Sequence, residues 1–104
     1  MVGDPTLKAQ VKASLARLQE IAPGRAVEVR IPPYAAVQVV AGHTHRRGNP
    51  SAVVETDAET WLALADGTLT WAAALASGRL HASGERSDLS ALLPLPAEDS
   101  TRKS

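Results

Sequence analysis

The chain has 104 residues, enough for one domain, and its 44% hydrophobic content is typical of a globular protein. Lys and Arg number 11, as do Asp and Glu, so no net charge would attract nucleic acid, and we expect no nucleic-acid partner. The absence of cysteine excludes disulfides, thiolate metal sites and thiol catalysis and favours a cytoplasmic location. We expect no signal peptide, because the N-terminus lacks a basic start followed by an apolar run. We also expect no stable membrane insertion, because no apolar stretch approaches the roughly 20 residues that a membrane-spanning helix needs.

The first predicted element is a helix that begins at Asp4 and Pro5. Asp is a good N-cap, and Pro suits the first helical position because its missing N–H costs nothing there. Pro23 and Gly24 end the helix. Its apolar residues recur at steps of three and four and form one stripe: Leu7, Val11, Leu15, Leu18 and Ile21.

Three strands are predicted next, because the apolar period changes to two. The first covers residues 27–31 and ends at Pro32-Pro33, and the second covers residues 34–41, with Val37, Val39 and Ala41 on one face. A polar connection over residues 42–50 leads to a third strand at residues 52–55. This connection is too short for a parallel crossover, so we expect the second and third strands to pair antiparallel.

Two short helices, a fourth strand and a last short helix complete the predicted order. Thr56 with Glu59 matches a capping box for the second helix, although Asp57 is an alternative cap, and Gly67 ends the helix. Thr70 caps the third helix. The remaining boundaries follow from the apolar spacing and the breakers: Gly78 closes the third helix, Leu80 and Ala82 alternate in a strand that Gly84 ends, and Leu89, Leu92 and Leu93 form a helix that Pro94 ends.

The resulting fold class is α+β, with a small antiparallel sheet of about four strands and helices packed on one face. Residues 1–95 form one domain. Residues 96–104 contain no apolar side chain larger than Ala, so a disordered tail is expected there.

Several segments of the second half resemble the sterol carrier protein-2 family. They are AVVETD at residues 52–57 with WLAL at 61–64, GTLTW at 67–71 with Ala73-Ala74, SGRLHASG at 77–84, and the helix at 89–93. PPYAAVQ at 32–38 and HRRGNP at 45–50 resemble a short bacterial branch of this superfamily. The likeness covers roughly the C-terminal half of the chain in the correct order and spacing.

This resemblance implies an apolar tunnel between sheet and helices that binds sterols, phospholipids or fatty acyl-CoA, without a catalytic group. Similar modules are accessory domains of acetyltransferases and of a thiol-dependent isomerase. The chain departs from the family in being shorter and in using Ala at many apolar positions. Residues expected to line a ligand site, because their periodicity points them inward, are Val39, Val54, Trp61, Leu64, Trp71, Leu75 and Leu80. For Trp61 and Trp71 the alternative is a role as the main core residues of their helices.

A basic cluster in the 42–50 connection supplies candidate anion ligands, His45, Arg46 and Arg47, which would suit a phospholipid headgroup or the phosphates of CoA. The alternatives are a solvated loop, or arginines paired with nearby acidic residues. His43 and His45 could begin a metal site completed by Glu55, Asp57 or His81. Without a signature third ligand we expect no metal, and no other cofactor is indicated.

No catalytic constellation is recognisable. Ser83 and Ser87 lie near His81, Glu85 and Asp88 in the sequence, but no nucleophile elbow or phosphate loop accompanies them. The sequence therefore predicts a non-catalytic binding domain for a hydrophobic or amphipathic small molecule such as a fatty acid, acyl-CoA, phospholipid or sterol-like lipid. The alternative is an accessory or protein-interaction module with the same fold and no working tunnel, whose protein partner the sequence does not name.

Overall fold

The computed structural model describes residues 4–42 and 52–96. Of the expected tail at 96–104 only Pro96 is described, and of the polar connection at 42–50 only Gly42 is described. In chain order the elements are α1 (Pro5–Ile21), β1 (Val27–Ile31), β2 (Ala35–Val39), β3 (Ala52–Thr56), α2 (Ala58–Asp66), α3 (Trp71–Ala76), β4 (Leu80–Gly84) and a 3₁₀ turn at Ser90–Leu92. The α+β class is confirmed.

The four strands form one mixed sheet in the order β2-β1-β3-β4. β1 pairs antiparallel with β2 and parallel with β3, and β3 pairs antiparallel with β4. The expected pairing of the second and third strands was therefore wrong. No long crossover is needed, because β2 returns the chain to the end of the sheet where β1 begins. The connection to β3 has only to step across one strand, a distance of about 10 Å.

One face of the sheet is buried, as predicted, because the side chains of its strands alternate. On β1, Val27, Val29 and Ile31 are fully buried, while Arg30 is exposed on the opposite face. Helix α1 packs against β2, and α3 packs against β4. The helices contribute the rest of the core, which is centred on Trp61, Leu15, Leu18 and Leu64.

Helix α1 begins and ends as its sequence predicts. The Asp4 carboxylate accepts hydrogen bonds from the N–H groups of Thr6 (2.9 Å) and Leu7 (3.3 Å), which satisfies donors that the first turn leaves without a helical partner. Of the predicted stripe, Val11, Leu15 and Leu18 are buried and Leu7 is partly buried, but Ile21 is 41% exposed. Ile21 lies in the last turn, at the rim of the core.

The cap of α2 is Asp57, which was one of the two alternatives. Its carboxylate accepts hydrogen bonds from the N–H (3.0 Å) and the hydroxyl (2.6 Å) of Thr60. Thr56 instead ends β3, and its hydroxyl donates to the carbonyl of Arg79 at 2.7 Å. Thr70 caps α3 as predicted, with its hydroxyl oxygen 3.1 Å from the Ala73 nitrogen.

Two predicted boundaries were wrong. Where an α-helix was predicted at residues 89–93, the structure has a single 3₁₀ turn at Ser90–Leu92, because Pro94 leaves too few residues for stable helical turns. Strand β2 was predicted to reach Ala41, but it ends at Val39. Val40, which follows Val39, has a φ of 71°, and this ends the extended backbone. Ala41 is exposed.

Candidate ligand-binding groove

Six of the seven residues predicted to line a ligand site belong to the packed core. Five of them (Val39, Val54, Trp61, Leu64 and Leu80) are at most 2% exposed. Trp71 is 8% exposed. They are therefore brought together between the sheet and the helices, where they contact one another and the rest of the core.

Leu75 differs from the other six, because its side chain is 42% exposed. The expectation that it points inward was wrong. Helix α3 has only six residues and directs Trp71 and Ala74 toward the core. Leu75 is four residues after Trp71 and lies only about 40° from it round the helix, but it is in the last turn of α3, where its side chain is left largely uncovered.

The remaining site candidates cannot be placed. His43, His45, Arg46 and Arg47 lie outside the described residues, so the anion and metal hypotheses for that segment stay predictions. Within residues 4–42 and 52–96, no group of three or more His, Asp or Glu side chains is arranged to hold a metal ion.

A groove of about 550 Å³ lies between α1 and α2. From α1 it is lined by residues spaced i, i+3, i+4 and i+7, a second stripe beside the one that faces the core. From α2 it is lined by residues spaced i, i+3 and i+4, and the C-terminal segment adds one leucine. The lining residues are Gln10, Ala13, Ser14, Arg17, Leu62, Ala65, Asp66 and Leu95.

The C-terminal segment is fixed against this groove by polar and apolar contacts. The backbone N–H of Leu95 donates to the carbonyl of Ala65 at 2.8 Å, and the Leu95 side chain is 7% exposed. The Arg17 guanidinium donates to the carbonyl of Pro96. One wall of the groove is therefore a segment of irregular backbone that is attached to both helices.

The inner side of the groove reaches the core at Ser14. Its hydroxyl donates to the carbonyl of Val11 at 2.8 Å and accepts a hydrogen bond from Nε1 of Trp61 at 2.7 Å. Ser14 is 5% exposed and Trp61 is fully buried. Both polar groups are thus satisfied without water, and the indole is held in one orientation under the groove.

Opposite charges line the two sides of the groove. Arg17 on α1 supplies a cation, and Asp66 at the end of α2 supplies an anion. Hydrogen bonds from the hydroxyl (2.8 Å) and the N–H (3.0 Å) of Thr68 lower the pKa of Asp66, so this carboxylate is charged at neutral pH. A ligand carboxylate would be attracted toward Arg17 and repelled from the Asp66 end.

A family model described as the bacterial SCP ortholog matches residues 4–95, which is most of the chain. The chain belongs to this family. A comparison with curated proteins finds no match. The α+β architecture of this SCP-family domain agrees with the resemblance drawn from the sequence.

Two further grooves lie on the described part of the SCP-family domain. One, of about 540 Å³, is formed beside Arg25, Glu28, Val37 and Gln38. The other, of about 340 Å³, is lined by Pro32, Glu55, Thr56, Asp57, Arg79 and His81. Most of the residues that line these two grooves are polar or charged, whereas half of those that line the α1–α2 groove are apolar, which suits an apolar ligand better.

The sequence analysis did not predict the α1–α2 groove. Its stripe on α1, which includes Gln10, Ala13 and Arg17, reads as an ordinary exposed face. Leu95 was placed at the end of the domain, but no pattern in the sequence indicates that it would lie against α2.

No helix within the described residues is both long and apolar enough to cross a membrane.

Proposed function

We propose that this SCP-family domain is a non-catalytic binding module for a hydrophobic or amphipathic small molecule, and that the α1–α2 groove holds the ligand. The observation that carries the proposal is the groove itself, whose volume of about 550 Å³ falls in the range of roughly 300–1,000 Å³ that small-molecule sites occupy. Family membership supports a carrier-like role, since domains of this kind generally carry ligands and do not catalyse reactions.

The lining favours a ligand with an apolar body and a polar end. Ala13, Leu62, Ala65 and Leu95 provide apolar contact along both helices and the C-terminal segment. Arg17 offers several N–H donors, so it can bind an anionic head in addition to the Pro96 carbonyl. A fatty acid or another long-chain lipid fits this arrangement, and micromolar binding requires only about 8 kcal/mol.

The experiment that tests this function compares two tryptophan substitutions on exposed positions of α1. Ala13 lines the groove, whereas Ala16 lies on the same helix outside it. Ala13→Trp should fill the groove and abolish binding of a fluorescent long-chain fatty acid in a titration. Ala16→Trp should leave the affinity within about twofold of the parent, because it places the same side chain away from the lining.

Two results contradict the proposed site. If both variants bind as the parent does, the ligand occupies another part of the domain. If the parent binds no fatty acid, acyl-CoA, phospholipid or sterol, the carrier function itself is wrong.

The second candidate function is an accessory or protein-interaction module that keeps the fold without a lipid tunnel. One observation favours it: six residues expected to line a tunnel are buried together in the core. Failure of every lipid in the binding experiment would make this the better description.

The absence of enzymatic activity and the cytoplasmic location are also parts of the proposal. Asp88 and Ser90, which lie beside the candidate hydroxyl Ser87, have a structural role, because the Asp88 carboxylate accepts the Ser90 N–H at 2.9 Å. The lack of cysteine supports a reducing compartment.

A further inference from the structure

The two walls of the α1–α2 groove differ in their chemistry. On α1, the polar side chains Gln10, Ser14 and Arg17 line the groove at positions i, i+4 and i+7, so they lie along one side of the helix. At a rise of about 1.5 Å per residue, they extend over roughly 10 Å. Helix α1 therefore presents a row of hydrogen-bonding side chains to the groove.

The opposite wall is mainly apolar. Leu62 and Ala65 of α2 line it, and Leu95 of the C-terminal segment continues it. The charged residue of this wall, Asp66, lies at the last position of α2. A molecule in the groove would therefore meet hydrogen-bonding groups along one edge and apolar side chains along the other.

Ser14 is the buried member of the polar row, since it is 5% exposed. Its hydroxyl accepts from Nε1 of Trp61 at 2.7 Å and donates to the carbonyl of Val11 at 2.8 Å. A hydroxyl has one donor and two lone pairs, so Ser14 can accept one further hydrogen bond but has no proton left to donate. A ligand group that contacts Ser14 must therefore bring its own donor, such as a hydroxyl.

The other two members of the row have hydrogen-bonding capacity of different kinds. The Gln10 side chain is exposed, and its amide can both donate and accept. The Arg17 guanidinium donates to the carbonyl of Pro96 and retains further N–H groups for an anion. The row thus combines an anion-binding end with two positions that suit hydroxyl groups.

We propose that the groove binds a carboxylic acid whose apolar body carries hydroxyl groups along one edge. This inference rests on the proposed function and narrows its ligand class. The carboxylate pairs with Arg17, and the hydroxyl groups bond to Ser14 and Gln10. The apolar edge packs on Leu62 and Leu95. An acid without hydroxyl groups would cover the polar row with hydrocarbon, and polar groups that lose water without gaining a partner cost free energy.

Two kinds of molecule have this chemistry, a rigid ring system and a flexible chain, and two matched pairs of acids distinguish them. Cholate carries three hydroxyl groups on one face of its rings, whereas lithocholate carries one. Dihydroxystearate has hydroxyl groups in mid-chain that stearate lacks. In each pair the second acid is the more hydrophobic, so a purely apolar groove would prefer it.

Calorimetric titration of the full chain with all four acids, below their micelle concentrations, tests the proposal. In at least one pair, the acid with more hydroxyl groups should bind about tenfold more tightly than its partner. A preference within the cholate pair identifies a ring system as the ligand type, and a preference within the stearate pair identifies a chain.

Gln10→Leu removes one hydrogen-bonding side chain from the row at an exposed position. It should reduce the preference for the hydroxylated acid about fivefold or more, because it weakens binding of that acid and strengthens binding of the plain one. Gln19→Leu is the matched control. It makes the same change at an exposed position of α1 outside the groove and should leave the preference within about twofold of the parent.

The indole N–H of Trp61 reports on Ser14 without a substitution in the core. A ligand hydroxyl that donates to the Ser14 oxygen changes the acceptor of this N–H. At saturation, the hydroxylated acid should therefore shift the NMR resonance of the Trp61 indole at least about twofold further than the plain acid does. Trp71, which does not line the groove, is the internal control and should shift little with either ligand.

The outcomes separate this inference from the proposed function. Equal binding within each pair, or tighter binding of the plain acid in both, overturns the inference and leaves the lipid-binding function standing. A preference that survives Gln10→Leu and does not move the Trp61 resonance is recognised elsewhere, and it overturns the inference as well. Binding of none of the four acids contradicts both the inference and the binding function.

Discussion

The indole nitrogen of Trp61 donates a 2.7 Å hydrogen bond to the hydroxyl of Ser14, and this bond joins α2 to α1 inside the core. The Ser14 hydroxyl in turn donates a hydrogen bond to the carbonyl of Val11. A serine in the middle of a helix is usually solvent-exposed. Here it is 5% exposed, because the largest side chain of the core needs an acceptor where it meets α1.

Ser14→Ala should destabilise the domain by about 1–3 kcal/mol, because it leaves the Trp61 N–H buried without a partner. Chemical denaturation followed by tryptophan fluorescence measures this change. Ser83→Ala, at an exposed position of β4, is the control and should shift the free energy of unfolding by less than about 0.5 kcal/mol. A Ser14→Ala variant as stable as the parent would mean that the indole finds another acceptor.

Gly24 and Gly78 form a matched pair, since both have positive φ and only one is crowded. Gly24 has a φ of 148°, and a Cβ there would overlap the backbone carbonyl of Val40. Gly78 has a φ of 80°, and a Cβ there would have no neighbour within 4 Å. Gly78 follows the end of α3, where the sequence predicts that it closes the helix.

Gly78→Ala should therefore cost only the left-handed backbone strain, about 1–2 kcal/mol. Gly24→Ala should cost more than Gly78→Ala, because it adds a steric overlap with backbone that cannot rotate away. Thermal unfolding of both variants gives the comparison. Equal losses of stability would show that the backbone at Gly24 can move away from the Val40 carbonyl at no cost in free energy.

The Asp57 cap makes stability depend on pH in a defined direction. Burial raises the pKa of this carboxyl, but hydrogen bonds from the side chain and backbone of Thr60 and the nearby Arg79 charge outweigh burial and leave the pKa below 3.8. A lowered pKa in the folded state contributes stability that is complete above 3.8. That contribution is lost as the pH falls through the folded-state value.

Asp57→Asn keeps a capping side chain but removes the charge. The parent should be more stable than this variant at neutral pH, and the difference should shrink as the pH falls below 3.8. Glu20→Gln, an exposed change on α1, controls for the loss of one negative charge. A stability difference between parent and Asp57→Asn that does not change with pH would show that the charge of Asp57 has no part in capping α2.

The order of helices and strands could be predicted because local signals repeat across the chain. Asp4 and Thr70 satisfy helix N-terminal donors, Pro32-Pro33 ends β1, and Gly67 adopts the left-handed conformation at the end of α2. Each signal acts within a few residues of its own position. The sheet order has no such local signal. β3 could pair with the free edge of β2 or with the free edge of β1, and both edges are close to the end of β2.

The candidate site was less predictable, because it depends on contacts between distant segments. Periodicity correctly assigned Val54 and Leu64 to the interior, but it cannot distinguish a tunnel wall from a packed core. In the short helix α3 it also predicted a buried Leu75, but this side chain lies in the last turn and is exposed. The α1–α2 groove depends on where Leu95 lies, some 80 residues from Arg17, and that position follows from the assembled core.

Arg17 provides the sharpest test of how the groove would recognise a ligand. Arg17→Gln removes the cation but keeps a side chain that can hydrogen-bond. It should weaken binding of a long-chain fatty acid about tenfold, because a charge-assisted hydrogen bond to the carboxylate is lost. Binding of the fatty alcohol of the same chain length should change by less than about twofold, since it presents no charge to Arg17.

Three further variants separate this effect from changes in the groove itself. Arg17→Lys restores the charge and should recover most of the preference for the acid over the alcohol. Arg25 lies outside the groove, and its guanidinium contacts Gln38. Arg25→Gln should therefore leave the affinities for the acid and for the alcohol unchanged. Leu95→Ala removes apolar contact at the wall of the groove and should weaken acid and alcohol alike. If Arg17→Gln instead weakens both ligands equally, Arg17 acts by fixing the C-terminal segment through Pro96 and not by binding the head of the ligand.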